Sequence, residues 1–378
     1  RLAMDGSTPI AFTLALPRER AEAGAPLVIY QHGNPGNAAR EVPVEARRGL
    51  AEAGFAVLGF TDVFNRELSA SMEPDTAIFS QFAAAILALM KDRELPEFWL
   101  QTHAEQLAFV RLAQALSSLD VLPIGQGDGV PDLDLAAPIA YLGVSDGANH
   151  APAFLAYAPE ISAATLIAGG APIAELLTHQ LKSSFGSHLA RLLMSGDSRE
   201  LWLALSLLQT ALDRQDPIHH ARHLYRDPIA VDGVLRKPSL LLISGVQDTR
   251  VPNRFTESLA WLLGRIPLVA ASLRPVAFLP VAQVPVQSNM GPMTTAGYAQ
   301  IVPAGIVGAR TDADCDATVI GEELAREGHF CAQVAPVSIL QRVSFFGSAL
   351  SGGAPIISNP LSGSLEGEQP QALPADSN

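Results

Sequence analysis

Lysine is nearly absent from this 378-residue chain, occurring only at Lys91, Lys182 and Lys237. Lys and Arg together number 25 against 38 acidic residues, which leaves a formal net charge of −13. Phosphate binding needs clustered cations, so this balance argues against nucleic acid or an anionic membrane surface as the main partner. The preference for arginine over lysine reads as a genomic composition bias, and the acidity as a source of solubility. Uninterrupted apolar runs near the roughly 20 residues of a membrane span are missing, so no transmembrane segment is expected. Cysteine is scarce as well. Cys315 and Cys331 are the only two, an even pair that suits a disulfide in an oxidising compartment, with two buried thiols as the alternative. The chain begins at Arg1 with neither Met nor a signal-like apolar region. With the cysteine pair, this leads to the expectation of a secreted or extracytoplasmic protein whose leader has been removed.

What is present is a large apolar share, 48% of residues, enough for a sizeable core in one large domain with insertions or in two domains. Short apolar runs alternate with longer helical patterns, the signature of an α/β architecture with a mostly parallel central sheet flanked by helices. Strands are expected at Ile10–Leu16, Pro26–Tyr30, Phe55–Phe60, Ile139–Val144, Ala163–Ala168, Ser239–Ser244 and Gly297–Val302. Helices are expected at Val44–Ala53, Phe79–Lys91, Phe98–Leu119, Ala148–Ala156 and Thr256–Leu263. Residues 1–170 and 238–350 then form the core. Residues 171–237 form a mainly helical insertion, near-continuously apolar at Leu201–Leu212, that could cap a site. Further inserts lie at Ile266–Thr295 and Val307–Arg326. The tail, 351–378, is rich in Ser, Gly, Pro and acids and is expected to pack loosely.

The stretch Gly143-Val144-Ser145-Asp146-Gly147 lies between an apolar run and a helix-compatible one. A serine on a tight strand-to-helix turn needs small neighbours two residues either side, because larger ones would collide with the flanking elements. A serine hydroxyl is a poor nucleophile until a base, usually a histidine oriented by a carboxylate, takes its proton. Asp248 lies in Gly245-Val246-Gln247-Asp248-Thr249-Arg250-Val251-Pro252, just past the carboxyl end of a strand, where open α/β sheets place their sites. His329, in Glu327-Gly328-His329-Phe330, is expected on a late loop, where Gly328 allows close approach. His150, five residues past Ser145, is expected to be a packing or rim residue. His32-Gly33-Asn34-Pro35-Gly36 follows another strand. Its backbone could face developing negative charge together with the Asp146 N–H. Pro35 has no N–H, so Asn34 is the natural donor and Gly33 the second choice.

With HGNPG at 32–36, GVSDG at 143–147, GVQDTRVP at 245–252 and EGHF at 327–330, in the order serine, acid, histidine, the chain resembles the α/β-hydrolase superfamily from about residue 10 to about 345. Within it the chain looks most like bacterial serine esterases and lipases. The resemblance implies an α/β-hydrolase fold with Ser145 as nucleophile, Asp248 as acid and His329 as base. It departs from the pattern in the long inserts at Ile266–Thr295 and Val307–Arg326, the second of which separates the last strand from His329 by more residues than is usual. The implied activity is cleavage of carboxylic esters, whether small-molecule, lipid or polymer, through an acyl-enzyme and without a required cofactor. Amide or peptide cleavage by the same triad is the rival. A non-catalytic binding protein on this fold is the alternative from another class.

Three other clusters carry possible metal ligands. Asp312, Asp314 and Asp316 alternate, with Glu323 at the twelfth position, as oxygen ligands do in a calcium loop. Ala317 stands where such a loop needs glycine, so a solvated acidic loop is expected and Ca²⁺ is the alternative. Asp128, Asp132 and Asp134 form a second acidic turn with the same alternative. His219, His220 and His223 could offer zinc ligands one turn apart but lack a partnering Glu or Cys, so a polar helix face is expected.

Overall fold

The computed structural model of the protein describes residues 9–19, 22–69, 95–124, 127–181, 203, 206–207, 209–210, 212–269, 274–304, 315, 317–350 and 352–358. The strands are β1 (Phe12–Ala15), β2 (Leu27–Gln31), β3 (Ala56–Phe60), β4 (Ile139–Val144), β5 (Ile161–Ile167), β6 (Ala230–Val231), β7 (Val234–Leu235), β8 (Ser239–Gly245), β9 (Leu268–Val269), β10 (Val281–Ala282) and β11 (Ala296–Ile301). Nine of them form one sheet in the order β1-β3-β2-β4-β5-β8-β11-β9-β10, while β6 and β7 make a separate hairpin. Among the described residues, only the pairing of β1 with β3 is antiparallel in the large sheet. The seven expected strands are therefore all present, within two residues of their expected ends.

Successive residues of a strand point to opposite faces, and here both faces are apolar because helices cover both. Leu27 and Ile29 of β2 join Leu240 and Leu242 of β8 in one cluster, with Phe109, Val110, Phe154 and Leu259 from covering helices. Val28 and Tyr30 join Leu241 and Ile243 in the other, with Ala38, Val42, Phe345 and Phe346. Leu240, Leu241, Leu242 and Ile243 are wholly buried, each contributing about 1.5–3 kcal/mol of transfer free energy. This explains why a strand covered on both sides reads as a continuous apolar run and not as an alternating one.

The first core helix, Ala38–Glu45, begins earlier than the apolar periodicity suggested because Asn37 caps it, its side chain accepting from Ala39 N. At its far end Glu45 accepts from Arg342, which is fully buried on the helix Pro336–Ala349 and ties the two helices together. The insert at Ile266–Thr295 contributes β9 and β10, which extend the sheet beyond β11. These strands are two residues long, too short to register as an apolar run. The expected helix Phe79–Lys91 lies outside the described residues. Residues 352–358 are packed more firmly than their composition suggested. Ile357 is wholly buried and exchanges backbone hydrogen bonds with Val286 at 2.9 Å in both directions. The rest of the tail lies outside the described residues. Among the described residues no helix is long and apolar enough to cross a membrane.

Candidate active site

In a parallel sheet the carboxyl ends of the strands share one edge. The register aligns Gln31 of β2 with Gly143 of β4, Val144 with Ile167 of β5, and Ile167 with Ile243 of β8. The loops after β2, β4 and β8 therefore leave from the same side. Each carries one of the expected site residues.

Ser145 sits between β4 and the helix Asp146–Tyr157 with φ 54° and ψ −113°. A non-glycine residue there stores roughly 1–3 kcal/mol of strain and persists only when its surroundings over-determine it. Here the Ser145 N–H donates to Ile167 O at 2.7 Å, and the Tyr141 hydroxyl donates to Gly147 O at 2.7 Å, holding the start of the helix against β4. The small neighbours are obligatory. A Cβ on Gly143 would lie 2.6 Å from Gly147 O, and one on Gly147 would run into Gln31 O. Asp146 is the first helical residue, so its N–H belongs to a turn with no intrahelical acceptor.

His329 and Asp248 meet, with His329 Nδ1 2.9 Å from Asp248 Oδ2 and both side chains buried. The other carboxylate oxygen, Oδ1, accepts from Arg250 N at 2.8 Å and Val251 N at 2.7 Å. Those two amides lock the carboxylate so that Oδ2 faces the imidazole. His329 is not on a loop, as expected, but is the second residue of the helix Gly328–Val334. Glu327 supplies the reason. Its side chain caps that helix by accepting from Phe330 N, and it also accepts from Thr249 N at 2.9 Å and Thr249 Oγ1 at 3.0 Å. One carboxylate thus fastens the helix bearing His329 to the loop bearing Asp248. Gly328 allows the contact, because a Cβ there would lie 2.6 Å from Asp248 N. The disulfide expected between Cys315 and Cys331 is present, with both cysteines buried. It anchors the same helix two residues beyond His329.

The loop 32–36 passes directly over the serine. A Cβ on Gly33 would be 2.6 Å from Ser145 Cβ and 3.3 Å from its Oγ. Asn34 reaches Asp146 through its side chain, Nδ2 donating to Asp146 Oδ2 at 2.8 Å. Asn34 Oδ1 accepts from Asn65, which also holds Gly36 N at 3.1 Å. His150 is buried, with Nε2 3.4 Å from Asp146 Oδ2 and Nδ1 3.1 Å from His103 Nε2. Burial disfavours the charged form of His150, but the Asp146 carboxylate outweighs it and the pKa is raised. Burial and then the neighbouring His150 push His103 well below the ordinary imidazole value. Burial would raise the Asp146 carboxyl, yet His150, Asn149 and His32 bring it below the usual value. Asn65, Asp62 and His103 were missed in the sequence because no motif carries them, and Glu327, inside the EGHF stretch, was given no role because its partner Thr249 is distant in sequence. The position of Asp62 and Asn65 just after β3 was the one available signal.

The other clusters do not converge on a ligand. Asp312, Asp314 and Asp316 lie outside the described residues, and Glu323 is exposed on the helix Glu322–Arg326. Asp128, Asp132 and Asp134 turn instead to backbone N–H groups, those of Val130, Val121 and Ala136 among them. His219, His220 and His223 face Asp213, Arg214 O and Asp227 O respectively. Among the described residues, no group of three or more His, Cys, Asp or Glu side chains could hold a metal.

A mostly parallel sheet with an antiparallel first strand, a serine on a strained elbow after β4, an acid after β8 and a histidine after β11 decides the architecture. The chain has the α/β-hydrolase fold. No family model matches it, and neither does any curated protein. Among solved structures it is similar to acetyl xylan esterase 1 from Thermoanaerobacterium sp. JW/SL YS485, at 13% identity and a TM-score of 0.42, with 78% of this chain and 75% of that one covered. A puromycin-hydrolyzing peptidase from Mycobacterium tuberculosis is similar at 15% identity and a TM-score of 0.47, over 90% of this chain and 38% of that one. The acylaminoacyl peptidase of Pyrococcus horikoshii is similar at 14% identity and a TM-score of 0.46, over 90% and 39%. The chain thus spans well under half the length of the two peptidase chains.

Proposed function

We propose that the protein is a serine hydrolase that cleaves carboxylic esters. The observation that carries this reading is the strained Ser145 elbow on the same sheet edge as the hydrogen-bonded His329–Asp248 pair. Ser145 attacks the ester carbonyl while His329 Nε2 takes its proton. Asp248, accepting from Nδ1, holds the tautomer with Nε2 free and stabilises the imidazolium that forms. The backbone N–H groups of Asn34 and Asp146 face the oxyanion, with Gly33 as second choice. His329 then returns the proton to the leaving alcohol, and water activated by the same imidazole releases the acid. No cofactor enters this chemistry.

The segment 171–237, inserted between β5 and β8, is proposed to cap the site and to favour acyl or aromatic esters. Esterase, lipase and polyester hydrolase share this chemistry. A buried disulfide fits an extracytoplasmic location. Amide cleavage is the second reading, since an amide would meet the same triad. The test is pre-steady-state hydrolysis of a chromogenic ester beside its matched amide. A burst of one equivalent of alcohol, with ester turnover far above amide turnover, is expected. Faster amide cleavage would transfer the proposal to the peptidase reading.

A further inference from the structure

The Asp146 side chain does a separate job from the Asp146 N–H. Its carboxylate is buried directly behind the nucleophile and collects three partners. Oδ2 accepts from Asn34 Nδ2 at 2.8 Å and lies 3.4 Å from His150 Nε2, and Oδ1 accepts from Asn149 Nδ2 at 3.3 Å. Only an acceptor-only group can take three donors at once. Asn34 is held from the other side too, its Oδ1 accepting from Asn65, whose Nδ2 also donates to Asp62 Oδ2 at 2.9 Å. Asn65 and Asp62 are almost wholly buried. Asn34 itself is exposed at the surface, so its two side-chain bonds join those of Gly36 N to Asn65 and of Gly33 O to His32 in holding the loop between Gly33 and Gly36.

We propose that the Asp146 carboxylate and the Asn34 side chain form a clamp that fixes the two oxyanion donors, Asn34 N–H and Asp146 N–H, relative to each other. Asp146 is then a positioning residue through its side chain. The inference rests on the ester-hydrolase reading above. Its physical basis is that oxyanion donors act because they are already oriented before charge develops, and that small misplacements are costly. The amide of one proposed donor is tied by a single hydrogen bond to the carboxylate of the other, across 112 residues of chain. Asn149, the third residue to touch this carboxylate, accepts from Gly170 N at 2.8 Å and so ties it to the loop after β5.

The test is a donor–acceptor swap. Asn34→Asp sets two carboxylates against each other. The double variant N34D/D146N restores the bond with its direction reversed and leaves the net charge as it was. The new NH₂ at position 146 also faces His150 Nε2, which accepts it when His150 is the neutral tautomer donating from Nδ1 to His103 Nε2. Steady-state ester hydrolysis, inhibition by phenylboronic acid and thermal melting are measured for wild type, N34D, N34A and the double variant. Phenylboronic acid forms a tetrahedral adduct on the serine and so reports the oxyanion donors. N34D is expected to lose about 100-fold in kcat, in the range of a lost oxyanion donor, with KM within about threefold and boronate affinity weakened in parallel. The double variant is expected to regain at least about tenfold over N34D. N34A, which removes an exposed side chain, is expected to melt close to wild type and still lose about tenfold in kcat. Turnover of N34A and N34D within about twofold of wild type would overturn the clamp. So would a double variant no better than N34D, or losses confined to KM with boronate affinity intact. A wild type that neither hydrolyses esters nor binds phenylboronic acid would overturn the hydrolase reading itself, and the clamp would fall with it.

Discussion

Under the proposed mechanism, replacing Asp248 with asparagine should disable catalysis while leaving the fold intact. The two oxygens of Asp248 have different duties. Oδ1 accepts from Arg250 N and Val251 N at 2.8 and 2.7 Å, and Oδ2 faces His329 Nδ1 at 2.9 Å. An asparagine has one acceptor and one donor group. Two backbone N–H groups cannot face an NH₂, so the amide oxygen must take the Oδ1 place and the NH₂ must face His329. The NH₂ then donates to Nδ1 and drives the imidazole proton onto Nε2, the nitrogen that has to accept from Ser145. The geometry survives and the tautomer is wrong. Loss of this orientation in a serine triad is worth roughly 10⁴ in kcat, or about 5.4 kcal/mol of barrier at 1.36 kcal/mol per decade. The assay is kcat on a chromogenic ester for wild type and D248N, with melting temperatures for both. A fall below about tenfold, with D248N folded, would refute the assignment of Asp248 as the orienting acid.

Gly33→Ala places a methyl group 2.6 Å from Ser145 Cβ and 3.1 Å from Val144 O; kcat should drop by at least about tenfold, because the loop must move off the serine, and an unchanged kcat would show the loop is not part of the site. Removing the Cys315–Cys331 bond, which closes a span of 16 residues, should cost about 3 kcal/mol in the chain-entropy view and lower kcat by freeing the helix that carries His329; equal melting temperatures for wild type and the double serine variant would contradict this. The raised pKa of His150 means that its charged form stabilises the fold fully below about pH 6.5, and that this contribution fades as pH rises through the raised value. The stability gap between wild type and His150→Gln, measured by urea unfolding, should therefore be widest between about pH 4 and 6.5 and narrow above, whereas a gap that widens with pH would contradict the pairing with Asp146. Titration by NMR should place His103 on the opposite side of the ordinary imidazole value, following its lowered pKa.

The parts of the molecule that could be read from sequence were those in which one residue's neighbours along the chain set its conformation. Apolar runs gave the seven main strands, since burial on both faces leaves a long signal. The elbow was legible because Gly143 and Gly147 are demanded by contacts within a few residues of Ser145 or with the adjacent strand. Asp248 could be placed just past the end of β8 because that strand reads as an apolar run, whereas His329 was expected on a loop and lies on the helix Gly328–Val334. What escaped depends on partners distant in sequence. Asn65 supports Asn34, and Glu327 caps one helix while holding Thr249 on another loop. A glutamate before Gly-His reads as an ordinary polar residue until the fold brings Thr249 to it. The role of Asp146 was half legible: its N–H follows from its place after the serine, but its carboxylate acquires meaning only when Asn34 and His150 arrive beside it.

Ser145 is proposed to be an activated nucleophile. A fluorophosphonate probe, followed by intact-mass measurement and peptide mapping, tests it most directly. One equivalent of adduct is expected on the peptide containing Ser145, with none in Ser145→Ala and much slower labelling in His329→Ala. A wild type that stays unlabelled, or an adduct that maps to another serine and persists in Ser145→Ala, would contradict it.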